Sequence, residues 1–261
     1  MTKNKPLLLE IENISKSFGN RKILHDINFE IFKGDILGFL GFSGSGKTTL
    51  LNIISGFLKP SSGNIFYNPQ DSHDDLISIY RDSFEFKSLI GFSSQKPSFY
   101  MELSIYENLW YFGTLCDVEK KLLKRNISDI LDLLDLKSFK NTLGKNLSQG
   151  MKKRLDLACS LIHDPQILIL DEPTSNLDFK LREEVLHYIK KINKSKGITI
   201  LYVSHFLEEI ESLCTKVIMI NYSSKMYPDT SNLKFKFEHF ITSEKKQYNL
   251  NSANLQEVQD E

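Results

Sequence analysis

The chain has 261 residues, 41% of them hydrophobic, which is enough apolar material for a sizeable core in one large domain or one domain with a subdomain. Its 33 basic residues balance 33 acidic ones, so no global basic field calls for nucleic acid as a partner. No apolar run approaches the roughly 20 residues that a membrane-spanning helix needs.

The start of the chain carries positive charge, but Leu7, Leu8 and Leu9 are too short a run for a signal-peptide core. Residues 8–13 and 27–31 alternate apolar and polar side chains, the pattern of half-exposed antiparallel strands. Gly19-Asn20 and Lys33-Gly34-Asp35 are turn signals around them. Residues 35–40 read as a buried strand, residues 48–54 as a helix, and residues 59–63 as a break. Ile65, Phe66 and Tyr67 form a short strand. Residues 68–87 are polar and poorly periodic, which suggests a surface loop with a helix whose place the pattern does not fix. Residues 89–93 are another strand, and helical periodicity runs from Ser104 to Leu161, with Ile127, Ile130, Leu131, Leu134 and Leu136 on one face.

The β-branched runs 167–170 and 198–203 read as buried parallel strands, with a helix over residues 182–194 between them. Residues 217–220 are a further strand. Past about Ser243 the chain is polar with few apolar anchors, the composition of a lightly attached or disordered tail. Cys116, Cys159 and Cys214 are isolated thiols, which fit a reducing compartment better than a disulfide framework. His25, His73, His163, His187 and His239 show no metal-ligand spacing.

The first chemical motif is Gly41-Phe42-Ser43-Gly44-Ser45-Gly46-Lys47-Thr48-Thr49, which fits G-x-x-x-x-G-K-[ST] between a strand and a helix. Its glycines let successive backbone N–H groups turn toward one anion, and the helix N-terminus behind them favours negative charge. Lys47 supplies a positive charge for the β- and γ-phosphates, and the Thr48 hydroxyl can ligate Mg²⁺. The second motif is the apolar run 167–170 ending in Asp171 and Glu172. A buried parallel strand delivers Asp171 to the carboxyl edge, where it would hold Mg²⁺, and Glu172 would activate the attacking water as general base. The third is Ser148, which caps the helical pattern that follows it and so heads a second helix N-terminus.

Together these features resemble the nucleotide-binding subunit of an ATP-binding cassette (ABC) transporter, over residues from about 8 to 220. Residues 41–49 resemble its Walker A loop and residues 167–172 its Walker B strand. Ser148-Gln149-Gly150-Met151 stands where the family has its LSGGQ signature, and residues 175–178 resemble the D-loop, with Asp178 at its end. Gln95 resembles the Q-loop glutamine, His205 the switch histidine and Phe18 the aromatic that stacks on adenine. The resemblance implies an α/β fold: a P-loop NTPase parallel-sheet core, an N-terminal antiparallel β layer and a helical subdomain insertion. The cassette would span residues 1–225, with its core in 1–95 and 162–225, the helical subdomain at about 96–161, and a C-terminal extension, partly disordered, over 226–261.

The resemblance further implies a cofactor set of ATP and Mg²⁺. Glu172, His205 and Gln95 would be catalytic, and Thr48, Gln95 and Asp171 would serve the metal. Phe18, Gly41, Ser43, Gly44, Ser45, Gly46, Lys47, Thr48, Thr49 and Asp178 would bind the nucleotide, with Ser148 and Gly150 acting across a homodimer or heterodimer. The partner would be a separate integral membrane subunit, of the drug, lipid, polysaccharide or ion exporter type, with the cassette peripheral on the cytoplasmic face. Alternative readings are a soluble ABC ATPase without a membrane partner, and a non-hydrolysing binding module, against which Glu172 and His205 both stand. Tyr100, Tyr106, Trp110, Tyr111 and Phe112, with Phe99, are either core or a groove for the membrane partner. Three departures from the family pattern stand out: Gln149 and Met151 in the signature, a longer loop over 68–87, and Tyr222-Ser223-Ser224-Lys225 where a Gly-rich turn is usual.

Overall fold

The computed structural model describes residues 5–69, 76–81, 83–94 and 97–248. In chain order the strands and helices are β1 (Leu7–Phe18), β2 (Arg21–Phe32), β3 (Ile36–Leu40), α1 (Lys47–Ile54), β4 (Ser62–Tyr67), β5 (Ile77–Ser78), α2 (Ser83–Ser88) and β6 (Ile90–Ser93). Then come α3 (Ile105–Leu115), α4 (Lys120–Leu133), α5 (Gln149–Leu161), β7 (Ile167–Asp171), α6 (Phe179–Lys196), β8 (Thr199–Val203), α7 (Leu207–Leu213), β9 (Lys216–Asn221), β10 (Ser223–Tyr227) and α8 (Leu233–Tyr248). The chain divides into two compact units, Met1–Phe86 with Tyr202–Glu261, and Lys87–Leu201.

The first unit holds an antiparallel sheet in the order β2-β1-β4-β5. Its β1–β2 pairing sets Ile11 opposite Phe29 and Phe18 opposite Arg21. Ile27, Phe29 and Ile31 are buried while Asn28 and Glu30 between them are exposed, so the alternation read from the sequence is the inside–outside alternation of the sheet. β3 is buried along its whole length and runs parallel to β9, pairing Leu37 with Lys216 and Leu40 with Met219. That matches the continuous apolar run of a strand covered on both faces.

β9 returns antiparallel through β10 across Tyr222, whose φ is +73°. Tyr222 therefore stands in the left-handed conformation that the family's glycine would take freely. Two contacts hold it there: its carbonyl accepts from the His25 backbone N–H at 2.8 Å, and its ring stacks on His25 at 5.3 Å. α8 follows, with Leu233, Phe240 and Ile241 buried and Phe237 against Phe42 at 5.3 Å between ring centroids. Within the stretch read as a polar loop, β5 and α2 are formed, while residues 70–75 and 82, and with them His73, lie outside the described residues, as do residues 249–261 of the tail.

In the second unit β6 and β7 pair in parallel, Ile90 with Ile167 and Ser93 with Leu170. The helices α3 to α5 fill the span read as helical. Leu123, Ile127, Ile130 and Leu131 form the buried face of α4, and Leu134 and Leu136 are buried beyond it. α3 starts on a capping box, in which Ser104 and Glu107 satisfy each other's backbone N–H groups. The aromatic cluster divides: Phe99 is buried, whereas Tyr100 and Tyr111 are exposed and stack edge-on at 5.0 Å.

Candidate functional site

The first unit carries the phosphate loop. A Cβ on Gly41 would overlap the Ile220 carbonyl and lie 2.5 Å from Ser45 Oγ, so no larger residue fits there. Gly46 has φ +94°, and a Cβ on it would lie 2.8 Å from Leu24 Cδ2. It serves as N-cap of α1 with no side-chain cap, so no side chain takes up the first amides of that helix. Lys47 is only 5% exposed, and its ammonium donates to the Gly41 and Phe42 carbonyls, both at 2.8 Å. A positive charge is thus held over a loop of backbone amides at a helix N-terminus, which is the chemistry a polyphosphate requires. Ser43, Gly44 and Thr48 are exposed, Thr49 is half-buried, and the buried Ser45 Oγ has no hydrogen-bond partner among the described residues.

Phe18 ends β1 with 51% of its surface exposed and the Lys16 ammonium 5.0 Å from its ring centroid. An exposed ring with a cation over it can offer a flat stacking surface to a base.

His205 is exposed in the turn from β8 to α7. This turn is fixed by a relay that sequence reasoning missed. The Phe206 N–H donates to Ser204 Oγ at 3.0 Å, and the Ser204 hydroxyl donates to the Glu209 carboxylate at 2.5 Å. Tyr202 donates its hydroxyl to the same carboxylate oxygen at 2.7 Å. Phe206 is the N-cap of α7, so Glu209 stands at the third helical position. The arrangement is a capping box with a hydroxyl inserted in it. The signal was present as Ser204 followed five residues later by Glu209, two positions longer than a plain box.

The second unit carries the carboxylates and the signature. Asp171 closes β7, and Glu172 follows it with φ +51°. A non-glycine residue in that region is strained, and such strain gathers at functional positions. Here the Glu172 carbonyl accepts from the Ser175 N–H at 3.2 Å and the Ser175 hydroxyl at 2.9 Å, which holds the conformation. Ser148 caps α5, its Oγ accepting from the Met151 N–H at 3.2 Å. Gln149 points into solvent, and Gly150 is buried where a Cβ would come 2.9 Å from Leu181 Cδ2 of α6. Asp178 caps α6 through Leu181 N–H at 2.9 Å, so this carboxylate has a structural task within its own chain. Gln95 lies outside the described residues.

The groups fit a magnesium nucleotide. In the first unit an uncapped α1 and a buried lysine suit phosphates, and the Thr48 hydroxyl is a hard oxygen donor of the kind Mg²⁺ takes; in the second unit the Asp171 carboxylate is another donor of that kind. No group of three or more His, Cys, Asp or Glu side chains forms a metal cluster among the described residues.

Comparison with known proteins agrees. The sequence profile of the family described as ABC transporter matches residues 24–175. An uncharacterized ABC transporter ATP-binding protein, YdbJ of Bacillus subtilis, is 35% identical over 216 residues, covering 82% of this chain and 66% of that protein. The spermidine/putrescine import ATP-binding protein PotA of Clostridium acetobutylicum is 33% identical over 217 residues, covering 83% of this chain and 59% of that protein. The chain thus spans less than two thirds of the length of these relatives. The solved structure of cbiO1 from Clostridium perfringens, part of the ABC transporter complex cbiONQ, superposes with a TM-score of 0.78 at 24% identity, over 94% of this chain and 96% of that one. The dimeric post-hydrolysis structure of the ATP-binding cassette MJ0796 with ADP and Pi gives 0.69 at 25% identity, over 85% and 98%. With the fold, the phosphate loop and the sequence all in agreement, the chain belongs to the ABC transporter family and carries its ATP-binding ATPase domain.

Proposed function

We propose that this chain hydrolyses MgATP as one half of a cassette dimer and so drives transport by a separate membrane subunit. The phosphate loop carries the reading: its glycines are required by contact and by φ, its helix end is uncapped, and its lysine is buried over it. Lys47 and the loop amides would bind the phosphates, Phe18 would stack on the adenine, and Thr48, Asp171 and Gln95 are the residues that would hold Mg²⁺. The ion neutralises charge on the phosphates when bound. Glu172 would take the proton of the attacking water, and His205, in the turn that Ser204 and Glu209 fix, would act at the γ-phosphate. Ser148 and Gly150 serve the second copy's nucleotide, and Asp178 belongs to the nucleotide-binding set.

None of the described helices is long and apolar enough to cross a membrane; the separate membrane partner and the peripheral place on the cytoplasmic face rest on the family membership. The Gly-Met-Lys-Lys-Arg-Leu run from Gly150 supports an exporter, whereas PotA is named for import. Transport assays of the chain with its membrane partner in inside-out and right-side-out vesicles separate the two directions. Phosphate release tests the hydrolysis itself. Glu172→Gln should retain ATP, lose about 10²–10³ in turnover and elute as an ATP-bound dimer. Turnover equal to that of the unaltered chain would remove Glu172 from the role of base.

A further inference from the structure

One face of α5 is polar where a helix of this kind is expected to be apolar. Lys153, Asp156 and Ser160 lie at i, i+3 and i+7, so they share that face. Lys153 is 8% exposed and Asp156 is fully buried. β6 runs along them. Opposite Ser160, a Cβ on Gly91 would overlap the Ser160 carbonyl, so the strand backbone lies directly on the helix. Opposite Asp156, the Ser93 hydroxyl donates to Oδ2. The other carboxylate oxygen accepts from the Ser98 backbone N–H at 2.9 Å and its hydroxyl at 2.8 Å. The Lys153 ammonium sits 3.5 Å from Asp156 Oδ2 and donates to the Ser94 carbonyl at 3.3 Å. Burial pushes the Lys153 ammonium down from its usual value, and the attraction of Asp156 opposes that shift.

A buried ion pair is weak as a stabiliser, because the lost hydration of both charges offsets their attraction. Its retention here asks for another reason. One carboxylate holds residue 93 with one oxygen and residue 98 with the other, while its lysine holds residue 94. These are the two ends of the connection that leaves β6, and the helix that holds them is the one Ser148 heads.

We propose that Asp156, assisted by Lys153, is a positioning residue that locks Ser93, Ser94 and Ser98, at the two ends of the connection after β6, to the signature helix, so that these ends and the helix move as one body during ATP turnover. The proposal rests on the ATPase reading above. It requires that the charges matter to turnover beyond what they do for stability.

The test is the double variant Lys153→Met/Asp156→Leu, which replaces both charges with apolar groups of similar size and so leaves no unpaired buried charge. Melting temperature, ATP affinity and phosphate release are measured on it and on the unaltered chain. The expected result is a melting temperature and ATP affinity close to those of the unaltered chain, with turnover lower by about 10- to 100-fold. Gln95→Ala should add little further loss in that background, because both changes would act on one connection. Should the double variant fold poorly, Ser93→Ala/Ser98→Ala removes two hydroxyl donors, keeps the ion pair and should show the same split. Turnover within about two-fold of the unaltered chain in a well-folded variant, or losses that simply add to those of Gln95→Ala, would overturn the proposal. Absence of phosphate release by the unaltered chain is a separate result, and it counts against the ATPase reading.

Discussion

Two helices in this molecule begin on residues that the family's motifs assign to phosphate, and they begin differently. α1 follows Gly46, whose left-handed backbone provides no side-chain cap, and the nearest charge is the buried Lys47 ammonium. α5 follows Ser148, whose hydroxyl already accepts from Met151 N–H, and its first turn holds no charge closer than Lys152. The first end is completed by an anion. The second satisfies one of its own amides and keeps the serine exposed. The glycines differ in the same sense. Gly41 and Gly46 are required by contact and by φ inside the loop, whereas Gly150 is required by the approach of Leu181 from α6. A loop built around a ligand and a helix end built for packing thus share one family motif list while meeting different physical demands.

That contrast can be broken by substitution. The largest effect should come from Lys47→Ala, which removes a charge-assisted contact: ATP affinity should fall by about 10- to 100-fold in a titration with a fluorescent ATP analogue. Unchanged affinity would make the loop a structural turn. Next comes Gly46→Ala, which places a methyl 2.8 Å from Leu24 at φ +94°. It should destabilise the fold by about 1–3 kcal/mol in chemical denaturation, and ATP binding should fall with it. Ser148→Ala should act on stability and leave ATP affinity of the single chain alone, with about 1 kcal/mol lost from the α5 cap. Equal losses of affinity from Lys47→Ala and Ser148→Ala would erase the distinction between the two ends. The smallest effect should be that of Gln149→Gly. The side chain is exposed, so melting should move by less than about 0.5 kcal/mol, and any change should show only in ATP-driven dimerisation.

The features legible in the sequence are those set by local rules. The alternation in β1 and β2, the unbroken apolar runs of β3, β7 and β8, and the glycine spacing of the phosphate loop each follow from which face a strand buries or which φ a turn needs. What escaped is set by distant partners. Asp156 reads as one more polar residue in a helical pattern, yet its hydroxyl donors are 58 and 63 residues away. Tyr222 gives no sign that a stacked histidine will hold it at φ +73° in the place of a glycine. Glu209 lies two residues beyond the spacing from Ser204 at which a capping box is recognised, because a serine hydroxyl is inserted in the relay. Asp178 was read for the nucleotide site, and the chain uses it as the cap of α6, a task its position ahead of Phe179 allows but does not announce.

The measurement that tests the central contrast most directly mixes two inactive chains. Ser148→Arg places a bulky cation at the α5 end, and Lys47→Ala empties the α1 end of its charge. If α1 holds the chain's own nucleotide and α5 serves the copy's, a mixed dimer has one site with both defects and one with neither. Phosphate release should then appear in the mixture at a level that neither pure variant reaches. Full turnover by pure Ser148→Arg protein would contradict the account, because the signature helix would then have no part in the reaction.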